Sequence, residues 1–322
     1  MTAPSFAAFT GPSNGSEFRR GFRRPARMLA SRRLWRESGV RIWLTSVYLA
    51  AMLSASPARA QQVQDDKGIV VTGQSQPSAK VVRRFVRQIS DSIDGQLARF
   101  AAPVCPLVLG LPEAFARSAE QRIRDVAAAG GVPHGERGCE VNVALIVAKD
   151  ADGLVKALRK KHPGFFAGLD DGALRRALRQ GPAHAWSTIE VHNEDGQTVG
   201  MGDDGMKVLE VRSASRITLP TQQVTVQSIV VLDADSTLGK LVIQLADYAA
   251  MRALAGALPP RESAAADTIL TLYDPALPPP PELTAVDLGF LKGLYKASTL
   301  GRSTAQRDVI SREVVKEVRQ SP

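Results

Sequence analysis

The fold is decided by a stretch in the second half of the chain, Ser228-Ile229-Val230-Val231-Leu232-Asp233-Ala234-Asp235-Ser236-Thr237, and by the pattern that follows it. Its first part is an unbroken run of mostly apolar residues, which predicts a strand buried on both faces. Residues 238–254 are apolar on every side of a helix, so we expect this helix to lie in the core. A buried strand that leads into a buried helix indicates a fold that mixes the two.

The same mixture of patterns occurs on both sides of this stretch. A strand, a helix and a strand are predicted over 103–109, 112–129 and 141–147, and a further strand is predicted over 268–273. We therefore predict an α+β fold, in which a mixed sheet packs against several helices. The single main domain is expected over residues 79–300, followed by a charged C-terminal helix over 301–322.

The charge of the chain is unevenly distributed. The 322 residues contain 41 Lys and Arg against 32 Asp and Glu, a formal net charge of +9. Residues 1–60 hold ten Arg and two Glu, which is +8, so the remaining 262 residues carry only +1. A body this close to neutral argues against a nucleic-acid-binding protein, which needs a basic face.

The basic start of the chain has the features of an export signal. Its apolar core over residues 42–53 is too short to span a bilayer. Ala58 and Ala60 form a small-x-small pattern, which predicts cleavage of a signal peptide over residues 1–60 after Ala60. We therefore expect a periplasmic or secreted protein with no stable membrane span once the signal is removed. An uncleaved anchor, export in the folded state and translation from Met28 instead of Met1 are alternatives.

Both cysteines, Cys105 and Cys139, lie in the part of the chain that would be exported. In an oxidising compartment, an even pair is most simply explained as a disulfide. A structural zinc site needs four ligands, and these two sulfurs have no CxxC partner or histidine pair nearby. We therefore predict a Cys105–Cys139 disulfide.

Residues 61–78 are predicted to form a flexible N-terminal lead-in because they are mostly polar and contain Gly and Pro. One β-branched segment interrupts them: Ile69, Val70, Val71, Thr72 and Gly73. It resembles the start of mature TonB-dependent outer-membrane receptors. The resemblance implies an extended segment that adds a strand to an unknown envelope protein. The alternative is that the segment is simply part of the lead-in.

The residues after the buried strand resemble the first motif of the haloacid dehalogenase phosphatases. That resemblance implies Asp233 as nucleophile, Asp235 as acid/base and Mg²⁺ as cofactor. The family also needs a downstream lysine and an acidic pair, for which Lys240 lies too close and Asp274 alone remains. The alternative is structural: Asp235 or Ser236 caps the helix that follows.

The order of elements after residue 228 is similar to the close of metzincin-like metalloproteases, and the 103–147 unit is similar to their opening. The helix that would carry zinc in those families here reads Asp247-Tyr248-Ala249-Ala250-Met251, without histidine or the catalytic glutamate. The four histidines show no spacing that suits a zinc site: His134, His162, His184 and His192. The resemblance therefore implies a degenerate domain without metal, as in uncharacterised exported proteins of Gram-negative bacteria.

These observations lead to two hypotheses about function. The first is an exported, non-enzymatic domain with a structural or interaction role on a degenerate metalloprotease-like scaffold. The alternative is a Mg²⁺-dependent phosphohydrolase that uses Asp233 and Asp235. Binding to another component of the cell envelope stays open, because no sequence feature names a ligand.

Overall fold

A computed structural model describes residues 78–201, 206–211, 218–261 and 267–321. The predicted signal peptide and the segment over 69–73 lie outside these residues. The helices are α1 (Ala79–Ile89), α2 (Glu113–Gly130), α3 (Ala151–Lys161), α4 (Asp171–Leu178), α5 (Val242–Leu254), α6 (Ala285–Lys296) and α7 (Ser303–Gln320). The strands are β1 (Arg99–Phe100), β2 (Pro106–Leu109), β3 (Val143–Ala148), β4 (Ala183–Asn193), β5 (Gly200–Met201), β6 (Lys207–Val208) and β7 (Thr221–Asp233).

The main sheet is built around β7. One edge of β7 pairs in parallel with β1 and then with β3, and β2 pairs in parallel with β3. The other edge pairs with β4 in the antiparallel direction, from Ala183 opposite Leu232 to Asn193 opposite Thr221. Since β4 pairs with no other described strand, it forms an edge of the sheet. The short strands β5 and β6 pair only with each other.

Helices cover both faces of this sheet, which explains the unbroken apolar run in β7. One face packs against α1, α2, α5, α6 and α7, through Leu145, Val147, Val230 and Leu232. The opposite face packs against α3 and α4, through Ala144, Ile146, Ile229 and Val231. Neighbouring residues of β3 and β7 thus enter different cores, and both must be apolar. The predicted mixed sheet packed against several helices in a single domain is confirmed.

The last helix belongs to the same core. Ile310 and Val314 of α7 are fully buried, and α7 packs against the side of α6 that carries Gly289 and Gly293. A Cβ atom at Gly289 would lie only 2.6 Å from the Cα of Val314. Glycine is therefore required there by the close approach of the two helices.

The prediction of a strand over 268–273 was wrong, because a buried carboxylate binds this backbone instead. Ile269–Thr271 forms a 3₁₀ turn. Asp287, which is fully buried, accepts hydrogen bonds from the Thr268 hydroxyl at 2.5 Å and the Ile269 N–H at 2.8 Å. Desolvation raises the pKa of Asp287 to about 6, although these hydrogen bonds and those from Thr284 act in the opposite direction.

The predicted disulfide between Cys105 and Cys139 is confirmed. It joins the residue before β2 to the loop that leads into β3. The Asn142 side chain accepts from the Cys105 N–H at 2.7 Å, and the Cys105 carbonyl accepts from the Asn142 and Val143 N–H groups. These hydrogen bonds place β2 beside β3 independently of the sulfur bond. No helix in the described part of the chain is long and apolar enough to cross a membrane.

Candidate functional site

Asp233 and Asp235 stand at the carboxyl end of the central strand. The Asp233 carboxylate accepts from the backbone N–H groups of Asp235 at 3.1 Å and Ser236 at 3.3 Å. The Ser236 hydroxyl donates to the Pro182 and Asp233 carbonyls. Asp233 therefore holds the short turn over 235–237, while Asp235 is exposed. Neither Asp235 nor Ser236 caps α5, whose first turn is held by the Gln244 side chain accepting from the Leu241 N–H.

The Mg²⁺ site that the phosphatase resemblance implies would be built around Asp233 and Asp235. Among the described residues, no group of three or more His, Cys, Asp or Glu side chains is arranged to hold a metal ion. Mg²⁺ prefers several oxygen ligands in an octahedral arrangement, whereas Asp233 already accepts two backbone hydrogen bonds. Both of those hydrogen bonds go to Oδ1 of Asp233, and the described residues supply no third ligand side chain here, so we derive no catalytic step through the ion.

Asp247 lies in α5, the helix in which the metalloprotease resemblance would place the zinc ligands, and it stabilises the core. Asp247 is completely buried. Its carboxylate accepts from Arg122 Nε at 2.6 Å, from a second guanidinium nitrogen at 2.9 Å, and from the Leu283 N–H at 2.6 Å. A paired carboxylate joins α2, α5 and the segment before α6. Asp247 is thus a structural residue.

The histidines remain apart from one another. His184 is buried on the α4 side of β4, where Nδ1 lies 2.9 Å from the Ala177 carbonyl and Nε2 lies 3.0 Å from Asp152. The Nε2 contact lacks hydrogen-bond geometry. His192 contacts Glu190 at 3.3 Å, and His134 contacts the Val132 carbonyl at 3.1 Å. His162 packs against Phe165, with 5.9 Å between the ring centroids, so each of the four rings contacts a neighbour other than a second histidine.

A groove of about 890 Å³ lies along the outer edge of β4. Ala183, Ala185, Ser187 and Ile189 line it. Because α4 packs on one face of the sheet and α5 on the other, these helices form opposite walls with the strand edge between them. A pocket of this size accommodates a ligand or a short peptide segment.

The backbone of β4 presents hydrogen-bonding groups to this groove. The Pro182 carbonyl accepts from the Asp233 N–H at 3.0 Å, which sets the phase of the antiparallel ladder. Backbone groups of alternate residues point to the partner strand, so those of His184 and Trp186 point to β7. Those of Ala183, Ala185 and Ser187 therefore point outward. No other described strand pairs with them.

The groove is basic. Two aspartates line it, Asp91 and Asp274, against five arginines: Arg175, Arg176, Arg179, Arg252 and Arg261. Arg176 forms an ion pair with Asp91. Tyr273 also lines the groove, and burial raises the pKa of its phenol, which stays protonated and able to donate. The imbalance favours anionic groups in the groove.

Comparisons with known proteins assign no class to the chain, because no family model, curated protein or solved structure matches it. Sequence reasoning found Cys105, Cys139 and the strand that ends at Asp233, but it missed the groove. The alternation over 186–192 indicated a strand. Nothing in that alternation shows which edge of a strand will be left uncovered.

Proposed function

We propose that this protein is an exported interaction domain that holds an extended segment of another protein against β4. The observation that carries the proposal is the outward set of backbone donors and acceptors at Ala183, Ala185 and Ser187, which lines the groove. An unpaired strand edge is a template for a further strand. Here α4 and α5 flank that edge on its two sides.

The alternation of inward and outward backbone groups along β4 provides a test of strand addition. Ala185→Pro removes an N–H that points into the groove and leaves the ladder with β7 intact. An edge strand tolerates proline at such a position because the missing N–H takes no part in the ladder. Ala185→Ser keeps the N–H and is the matched control. A photo-crosslinker at Ser187 of the mature protein should capture partners, whereas one at Gln121 on the exposed side of α2 should not.

The Ser187 crosslinks should persist in Ala185→Ser and disappear in Ala185→Pro, with both variants folded by circular dichroism. Equal crosslinking in the two variants would contradict strand addition. Hydrogen exchange gives a second measurement: the amides of Ala183 and Ala185 should exchange faster than those of His184 and Trp186. Uniform protection would show that the edge is already covered.

Export is part of the proposal. The disulfide is typical of an oxidising compartment, which supports a signal peptide cleaved after Ala60. Finding Gln61 as the first residue of the exported protein would test this cleavage.

We also propose that an extended segment adds a strand to an envelope protein: Ile69, Val70, Val71, Thr72 and Gly73. Replacing Val70 and Val71 with Asp should abolish recovery of that protein in a pull-down.

The degenerate metalloprotease-like scaffold is likewise a proposal. It is supported by the strand-helix-strand unit of β2, α2 and β3 and by α5, which follows the central strand without histidine. The phosphohydrolase alternative is favoured by one observation, the position of Asp233 at the carboxyl end of β7. A phosphatase assay of the mature protein with Mg²⁺ separates the two: activity abolished by Asp233→Asn would establish the enzyme.

A further inference from the structure

The two walls of the groove differ in how firmly their arginines are held. On the α4 wall, Arg175 lies in the last turn of the helix and Arg179 is the residue directly after it, and both side chains are exposed. Neither forms an ion pair with a described residue. Exposed arginines attract an anion over a distance but add little affinity once it is bound.

The opposite wall holds a more buried arginine. Arg252 lies in the last turn of α5, where one guanidinium nitrogen donates to the Tyr248 hydroxyl at 2.9 Å. Its guanidinium carbon lies 5.7 Å from the centre of the Tyr248 ring. The Nε–H is buried and has no hydrogen-bond acceptor among the described residues. A buried donor without an acceptor costs free energy, so this side chain gains from any acceptor in the groove.

A second donor without an acceptor lies nearby. The Tyr273 hydroxyl is buried and forms no hydrogen bond of acceptable geometry with a described residue. The nearby Ser236 hydroxyl influences the pKa of the phenol, but the two hydroxyls lie outside hydrogen-bond geometry. The Tyr273 ring meets that of Tyr248 edge-on, with 5.1 Å between centroids. Tyr248 thus connects two unsatisfied donors on the α5 side of the groove.

We propose that the segment bound along β4 is an acidic peptide with a carboxylate directed at Arg252. This inference rests on the proposed function. In a strand added to β4, alternate side chains point to opposite faces of the sheet. Those on one face reach the α5 wall and Arg252, and those on the other reach Arg175 and Arg179. A carboxylate that draws the Arg252 guanidinium towards the groove supplies the acceptor that Nε lacks.

A peptide suits these features better than another polyanion. The outward N–H and C=O groups of β4 match an extended polypeptide backbone, and only its side chains need to carry charge. A bidentate carboxylate also matches the planar guanidinium. Arg252 therefore determines specificity, while the exposed arginines of α4 accelerate association.

The experiment uses the mature protein and a fluorescein-labelled peptide of about eight residues in which Thr and Glu alternate. The matched probe replaces every Glu with Gln. Fluorescence anisotropy should show the Glu peptide binding about tenfold more tightly or better, since a charge-assisted hydrogen bond contributes on that scale. Arg252→Gln should remove this preference and leave binding of the Gln peptide unchanged. Arg83→Gln, at an exposed position on α1, should have no effect.

Each other outcome decides against the inference. Equal binding of the two peptides that Ala185→Pro abolishes would retain strand addition and overturn the acidic preference. A preference for Glu that survives both Ala185→Pro and Arg252→Gln would place the peptide elsewhere. Binding of neither peptide would overturn the inference. Tighter binding of a peptide with residues 61–77 of this chain would assign the groove to the chain's own N-terminal segment.

Discussion

Reduction of the Cys105–Cys139 disulfide should weaken the fold without rearranging it. The bond closes a segment with a sequence separation of 34. Loop-closure entropy for that length corresponds to about 4 kcal/mol of the free energy of unfolding. The hydrogen bonds between Asn142 and the Cys105 backbone remain after reduction, so β2 and β3 keep their register. For a domain of this size, the urea midpoint should fall by about 1–2 M.

The assay is urea unfolding of the mature protein with and without a reducing agent, followed by tryptophan fluorescence. Cys139→Ser is the control, because this side chain is partly exposed and its replacement leaves no buried cavity. The variant should unfold like reduced wild type and should not respond to the reducing agent. If oxidised wild type, reduced wild type and the variant share one midpoint, the disulfide does not restrict the unfolded chain and the reasoning fails.

Three further changes test the core. Arg122→Ala strands the buried Asp247 carboxylate and should cost about 3–5 kcal/mol in urea unfolding, and Asp247→Ala added to it should cost less than the two single changes summed. Gly289→Ala forces α6 away from α7 and should lower stability by about 1–3 kcal/mol, measured as a fall in Tm. Because the folded pKa of Asp287 is raised to about 6, its contribution to stability is fully present below its unfolded pKa of about 4 and is lost as pH rises through about 6. Asp287→Asn should therefore be less destabilising at pH 7.5 than at pH 4.5, and equal effects at both would refute the shift.

Features that a residue pattern requires could be predicted from the sequence, and features that depend on a side chain from another element could not. The core strand ending at Asp233 was predictable, because burial on both faces requires an unbroken apolar run. The Cys105–Cys139 bond followed from an even pair of cysteines in a chain whose first 60 residues have the features of an export signal. The segment after Thr268 was misassigned, because its backbone is captured by Asp287, a side chain from another element. Local strand propensity contains no information about such a competitor.

The groove could not be predicted for a related reason. Its edge depends on β7 receiving β1 and β3 on one side and β4 on the other, which is a property of the whole sheet. Arg252 has the sequence context of a cation at a helix C-terminus, which is a common and purely stabilising arrangement. Only the structure shows that one of its guanidinium nitrogens donates to Tyr248 while its buried Nε–H lacks an acceptor among the described residues.

The position of β7 in the chain also determines the order of assembly. It is the last strand of the main sheet to be synthesised, yet β1, β3 and β4 all pair with it. Before Thr221, β2 and β3 can pair with each other, but β1 and β4 lack their partner strand, and pairings this distant along the chain form slowly. During synthesis, β1, β4 and one edge of β3 therefore stay unpaired until β7 has been made. A chain that stops before this strand would be a substrate for proteases rather than a partly working domain.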